Sequence, residues 1–249
     1  MYHFYTDHSN IFEDHIILRG ADVNHIRNVL RMRDGEELII CDGEGTDHFC
    51  RIRGNEGKDL IADIMKKCPS EAELGTRIVL FQGLPKKDKM ELIIQKAVEL
   101  GVSRIVPVMT RRVIVKTSED GKEQRKLERW QSIAKSAAEQ SGRGIIPEIS
   151  PVISFKEALK MAGGLECSLI PYENADNSSL GMQNSREVIR GLAGKKSVGI
   201  FIGPEGGFED SEIEEAVSKG CRMISLGKRI LRTETAGLAI IAVIAFEIG

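Results

Sequence analysis

The sequence predicts an α/β domain with a mostly parallel sheet, preceded by a smaller all-β domain, and three observations carry that prediction. From Arg77 onward, apolar strand-like runs alternate with amphipathic helix-like runs, which is the signature of an α/β domain. Residues 1–70 instead hold short strand-like runs with turn residues between them, the pattern of a small barrel or sandwich. Between the two lies CPSEAELG, Cys68 to Gly75, polar and broken by proline, which reads as a linker. The domains are therefore placed at 1–70 and 73–249.

In the first domain, HIILRG, EELIICDG, HFCRIRG and DLIADIMKK are the strand candidates. Asp34-Gly35, Asp42-Gly43 and Asn55-Glu56-Gly57 supply turns between them. One helix interrupts the strands, with Asp22 as its cap and Val23, Ile26, Val29 and Leu30 as its apolar face. In the second domain RIVLFQG is a buried strand, and DKMELIIQKAVELG is a helix with Asp88 and Glu91 as a capping box and Gly101 past its end. SRIVPVMT is a strand and KEQRKLERWQSIAKSAAEQ a long helix. CSLIPYE is a strand, followed by a short helix near Arg186 to Leu192. SVGIFIG is a strand, DSEIEEAVSKG a helix capped by Ser211 and Glu214, and CRMISLG a strand. The apolar tail from Thr235 closes the chain as a helix.

The chain has 249 residues, 41% apolar and 29% charged, which suits a sizeable core and a soluble surface. No basic flank precedes an apolar run at the amino end, and Ala236 to Phe246 is too short to span a bilayer, so a cytoplasmic, non-membrane protein is expected. Five cysteines, odd in number and without a C-x2-C pair, argue against a disulfide framework and a zinc site. The five histidines all precede residue 49 and have no metal-ligand spacing, so no metal is expected. Residues 1–72 carry 9 Lys+Arg against 14 Asp+Glu, a net of −5. Residues 77–143 carry 15 against 8, a net of +7, and 144–249 carry 11 against 14, a net of −3. The basic middle third is a candidate footprint for a phosphate backbone.

In a parallel sheet, ligands bind beyond the carboxyl ends of the strands. Three such ends carry unusual residues: Gln82 to Lys87, GPEGGF after Ile202, and LGKRILRTETA from Leu226 to Ala236. GPEGGF matches neither the dinucleotide fingerprint nor a P-loop. Its glycines can instead reach positive φ and let backbone approach a base edge closely, although a structural turn before a helix would use the same residues. In the second loop, Thr233 or Thr235 suits a helix cap and Glu234 the positive end of the helix. Arg232 does not fit that scheme, because a helix start disfavours a cation, and it points to an anionic or polarised partner.

With those two loops in this order, the chain resembles the RsmE family of ribosomal RNA methyltransferases, within the SPOUT superfamily. RNVLRMRDGEELIICDGEG resembles its amino-terminal PUA-like barrel, LPKKDKMELIIQKAVELGVSRIVPV its first methyltransferase block, and EQSGR, Glu139 to Arg143, a shorter one. The resemblance spans the whole chain. It implies a trefoil-knotted SPOUT methyltransferase domain behind a PUA-like β-barrel, S-adenosylmethionine bound bent in the knot, and a homodimer. It also implies methylation of N3 of a specific uridine in 16S rRNA of the small ribosomal subunit.

By that resemblance, cofactor contacts fall on Gln82, Ile202, Gly203, Glu205, Gly206, Gly207, Leu226, Gly227, Ile230, Leu231, Thr235 and Ala236. Methylating N3 requires loss of its proton, and the uracil anion spreads charge onto O2 and O4; Arg232, with its fixed fork of donors, suits that charge. Glu234 and Glu205 are the candidates for a base, and each also suits a cofactor contact or a helix start. Phosphate contacts are expected from Lys86, Lys87, Lys89, Arg111, Arg112 and Arg143, and from Arg27, Arg31 and Arg33 of the barrel.

Overall fold

The computed structural model describes residues 1–86, 89–113, 120–172 and 184–248. Lys87 and Asp88, expected above as a phosphate contact and a helix cap, lie outside the described residues. The chain divides into two compact units, Met1–Glu73 with Ala138–Ile146, and Leu74–Ala137 with Pro147–Gly249.

The first unit holds a five-stranded sheet of β1 (His3–Tyr5), β2 (His15–Leu18), β3 (Glu37–Cys41), β4 (Thr46–Glu56) and β5 (Asp59–Pro69), in the order β1-β3-β4-β5-β2. β1 runs parallel to β3, and the other pairs are antiparallel. Alternation in the strands works as period two requires: Ile16, Leu18, Leu38, Ile40, Cys50, Ile52 and Leu60 turn inward and form one apolar core with Ile26. The expected helix is α1 (Ala21–Asn24), which starts at Gly20 with no side-chain cap and passes into a wider turn over His25–Val29. Asp22 is thus in the first turn rather than at the cap, and Val29 is 64% exposed rather than part of the buried face. The turn closes with Leu30 N–H on His25 O and Met32 N–H on Ile26 O, and Arg31 between them sits at φ 59°.

The segment Ala138–Ile146 was not foreseen as part of this unit. Its anchor is Arg143, which is 3% exposed and forks onto the Glu73 carboxylate through Nε (3.1 Å) and Nη2 (2.5 Å). Glu73 also accepts the N–H groups of Gly144 and Ile145. Arg143 is therefore a buried structural cation and not a surface phosphate contact.

His3, Cys41 and Asp47 bring three potential ligand atoms within 4.8 Å of one another, from strands too far apart in sequence for any spacing rule. The Cys41 thiol donates to Gly144 O and accepts Gly43 N–H, and burial pushes it up to about 12, so it does not offer a thiolate. All five cysteines are free thiols.

The second unit contains a parallel sheet of β6 (Arg77–Gly83), β7 (Arg104–Met109), β8 (Glu148–Ile149), β9 (Ile153–Ser154), β10 (Cys167–Pro171), β11 (Ser197–Ile202) and β12 (Arg222–Ile224). Its order is β12-β10-β11-β6-β7-β8, with β9 also on β7. The helices are α2 (Lys89–Glu99), α3 (Asp120–Ser141), α4 (Phe155–Ala162), α5 (Ser185–Arg190), α6 (Asp210–Ser218) and α7 (Thr233–Ile248). α4 went unpredicted, although Ser154 and Glu157 form a full capping box ahead of it. α6 is capped by Glu209 and Glu212, two residues earlier than expected from Ser211 and Glu214.

β6 and β11 lie side by side at the centre and are buried almost throughout, as strands covered on both faces must be. Phe81 and Phe201 stack across them with ring centroids 4.5 Å apart, and Phe155 of α4 meets Phe201 edge-on. Gly199 explains the gap in the apolar run SVGIFIG: a Cβ there would meet Ser168 Oγ at 2.7 Å and Leu165 at 2.9 Å. No helix among the described residues is long and apolar enough to cross a membrane.

Candidate active site

Three strand ends and a helix start meet in one cleft. Lys89 at the start of α2, Pro171 and Tyr172 at the end of β10, and the loops after β11 and β12 line a cavity of about 400 Å³, a size suited to a cofactor. Its position follows from strand order: successive connections leave the central pair β6 and β11 in opposite directions, opening a crevice at their carboxyl ends.

The β11–α6 loop, Gly203 to Phe208, forms one wall and Leu226 to Arg232 the other. The glycines do distinct jobs. Gly83 lets the first loop lie under the second, since a Cβ on it would meet Pro204 at 2.7 Å. Gly203 lies so close to Gly207 that a Cβ would sit 3.0 Å from its backbone. Gly207 (φ 68°) and Gly227 (φ 102°) hold left-handed conformations that other residues rarely adopt.

Of the residues expected to touch a cofactor, Ile202, Gly203, Glu205, Gly206, Gly207, Leu226, Gly227, Ile230, Leu231 and Ala236 line the cavity, as does Arg232. Gln82 does not. It is wholly buried and donates to Gly83 O and to the Thr233 hydroxyl, both at 2.9 Å. The Thr233 hydroxyl in turn donates to Gly203 O at 2.6 Å. This chain ties the end of β6, the β11–α6 loop and the start of α7 together from beneath, so Gln82 supports the site without lining it. Thr233 is spent on the neighbouring loop and does not cap α7. Thr235 is exposed and outside the lining, its N–H given to Arg232 O. Sequence reasoning missed Pro171 and Tyr172, which enter from β10; Tyr172 is fixed by a 2.6 Å bond from its hydroxyl to Asp210.

Arg232 stands immediately before α7, and its carbonyl accepts the N–H groups of Thr235 and Ala236. Its exposed guanidinium makes no hydrogen bond or ion pair with a described residue. Glu234, in the first turn of α7, lies within electrostatic reach of it.

Lys89 departs most from expectation. Foreseen as a phosphate contact, it lines the cavity and pairs with both carboxylates, Glu205 at 3.3 Å and Glu234 at 3.2 Å. Glu205 also accepts Lys86 N–H at 3.0 Å. Burial raises both carboxyls, but N–H donors and Lys89 outweigh it and hold each below the ordinary glutamate value.

The remaining cations divide. Arg111 is bonded to Glu209 and Ser211, and Arg112 to Gly206 O at 2.8 Å, so both brace the β11–α6 loop. Arg27 is engaged by Asn55, Met32 O and Asp34 and is a structural residue. Arg31, Arg33 and Lys86 are exposed, with no side-chain hydrogen bond or ion pair to a described residue.

Residues 72–245 match the family model described as an RNA methyltransferase domain, and residues 18–65 that of an RNA methyltransferase PUA domain. The chain is 35% identical over 231 residues to the ribosomal RNA small subunit methyltransferase E of Bacillus subtilis, covering 92% of this chain and 89% of that protein. It is 36% identical over 238 residues to the protein of that name from Mesomycoplasma hyopneumoniae, with 96% of each covered. Among solved structures, it is similar to a ribosomal RNA small subunit methyltransferase E from Neisseria gonorrhoeae bound to S-adenosylmethionine. That likeness has a TM-score of 0.79 and 35% identity, over 97% of this chain and 95% of the other.

Proposed function

Because this chain belongs to the ribosomal RNA small subunit methyltransferase E family, we propose that its cleft methylates N3 of a specific uridine in 16S rRNA of the small ribosomal subunit. It is an RNA methyltransferase whose methyl donor is S-adenosylmethionine. The observation that carries the proposal is the meeting of both glycine-bearing loops around one cavity, with an uncommitted guanidinium on its wall.

The cavity suits the donor in size and lining. Ile202, Leu226, Ile230, Leu231 and Ala236 offer apolar contact to a nucleoside, and the exposed backbone around Gly203, Gly206, Gly207 and Gly227 can bond a base edge. When bound, S-adenosylmethionine supplies an electrophilic methyl group on a sulfonium.

The chain's own residues must then hold an unpaired uracil in line with that methyl group and stabilise the anion left when N3 loses its proton. Arg232 donates to the O2 or O4 charge. Glu205 and Glu234 are held ionised by Lys89 and the backbone, which makes them weak proton acceptors, so their weight falls on positioning rather than general-base work.

The finer architecture follows the family: the loops of the second unit form a trefoil knot, the first unit is a PUA-like barrel that grips RNA, and the protein acts in the cytoplasm as a homodimer. The dimer is supported by α7, which is apolar all round. One side buries Gly237, Ile240, Ile241 and Ile244, while Val243 and Phe246 stand 50% and 89% exposed. A helix apolar on every side is covered on every side. RNA phosphate contact falls to Arg31, Arg33, Lys86 and Lys87, and RNA affinity then declines steeply with salt.

The test is transfer of labelled methyl from S-adenosylmethionine to small ribosomal subunits from a strain lacking this enzyme, followed by primer extension. The expected result is a strong stop at one 16S uridine, because an N3 methyl blocks pairing. Label on ribose, or on no RNA, overturns the proposal.

A further inference from the structure

We propose that Lys89 is the positioning residue of the site, its ammonium joining Glu205 of the β11–α6 loop to Glu234 of α7 so that the two walls of the cleft are held in register. The inference rests on the function proposed above.

Lys89 is the first residue of α2, so its backbone is fixed by a helix whose Met90, Ile93, Ile94, Ala97 and Val98 are buried. Its side chain is 29% exposed, against 28% for Glu205 and 17% for Glu234, so the bridge is partly shielded from solvent. Glu205 lies in the β11–α6 loop and Glu234 in the first turn of α7, and among the described residues no ion pair other than those to Lys89 engages either. Lys86 N–H holds Glu205 from the same chain segment that carries Lys89, so the β6–α2 connection grips the opposite loop twice. Without the ammonium, two ionised carboxylates face each other across the cleft and repel. The bridge complements the Gln82–Thr233–Gly203 chain below: one set of bonds fixes the floor, the other the rim.

The double-mutant logic separates this role from a direct grip on RNA. Cofactor affinity by calorimetry and single-turnover transfer to small subunits are measured for Lys89→Met, for Glu205→Gln with Glu234→Gln, and for the three together. Lys89→Met weakens cofactor binding and transfer by roughly 10-fold, a typical coupling for groups in contact. In the background with both carboxylates neutralised, the same substitution changes either quantity by less than about 3-fold, because no repulsion remains to be relieved. Lys89→Arg restores most of the loss. If Lys89→Met costs as much in both backgrounds, or costs nothing, the proposal is overturned; a loss that appears only in RNA affinity, with a shallower salt dependence, assigns Lys89 to phosphate instead. Cofactor binding with the expected coupling but no methylated RNA overturns the proposed function and leaves the role of Lys89 standing. Normal methylation without the coupling does the reverse.

Discussion

Arg232 occupies a costly place. It immediately precedes α7, where the helix dipole disfavours a cation, and its guanidinium has no hydrogen bond or ion pair with a described residue to compensate. A neutral residue there would suit the helix dipole better, although Glu234 lies within electrostatic reach of the charge; in the proposed function an anion in the cleft is its partner. Arg232→Ala should leave cofactor affinity intact while single-turnover transfer falls by roughly 100-fold or more, the scale on which one donor to a developing oxyanion acts. Calorimetry and rapid-quench labelling read the two quantities separately, and near-normal transfer would sink the assignment. The glutamates behave differently. Each serves the folded site before any ligand arrives, Glu205 by accepting Lys86 N–H and Lys89, Glu234 by pairing with Lys89. Their residue type was legible in the sequence; their shared cation was not, because Lys89 is 116 and 145 positions away from them.

The turn that ends in Arg31 makes the same argument at the scale of an element. Met32 N–H reaches back to Ile26 O, which closes the turn only if the residue between is left-handed. Glycine usually takes that position, yet Arg31 holds it at φ 59°, the one non-glycine with positive φ among the described residues. Arg31→Gly should therefore stabilise the amino-terminal unit by about 1 kcal/mol, the cost of a left-handed side chain, less the entropy glycine adds to the unfolded chain. The same change should weaken RNA binding, since it removes a free cation; a thermal melt with a filter-binding titration checks both. Unchanged RNA affinity would mean that Arg31 is not a contact. Elements with strong periodicity, such as β6, β11 and α2, were legible from sequence because burial on both faces or on one stripe writes itself into the pattern. Elements defined by few residues were not: β1, β8 and β9 have two or three residues each, too few to show a period. The wide turn after α1 was read as ordinary helix because its bonding leaves no mark in the apolar spacing.

For the whole molecule, the net charge of a segment overstates how many of its cations are uncommitted. The net +7 of residues 77–143 suggested a broad phosphate footprint, but Lys89, Lys96, Arg104, Arg111, Arg129 and Arg143 all have carboxylate partners. Composition counts charges without knowing which are already spent. The apolar tail leads to a separate prediction. Phe246 is 89% exposed and Val243 50%, on a helix beside which α2 presents Leu92, itself 45% exposed. Three large apolar side chains left in water on adjacent helices are the mark of a surface made to be covered. A second copy of the chain is the occupant the family implies, and equilibrium sedimentation of the purified protein should report a dimer. Val243→Asp with Phe246→Asp should convert it to a monomer, since burying two carboxylates in an apolar interface is prohibitive. Because both side chains are exposed within one chain, the substitutions should change the monomer's own stability by no more than about 0.5 kcal/mol each, the usual range for surface sites. Halved mass with a native circular-dichroism spectrum, and a melting temperature lower than the wild type's but no longer dependent on protein concentration, would therefore place the residues at the subunit interface. A wild-type monomer, or a dimer that survives both aspartates, would remove α7 from that role.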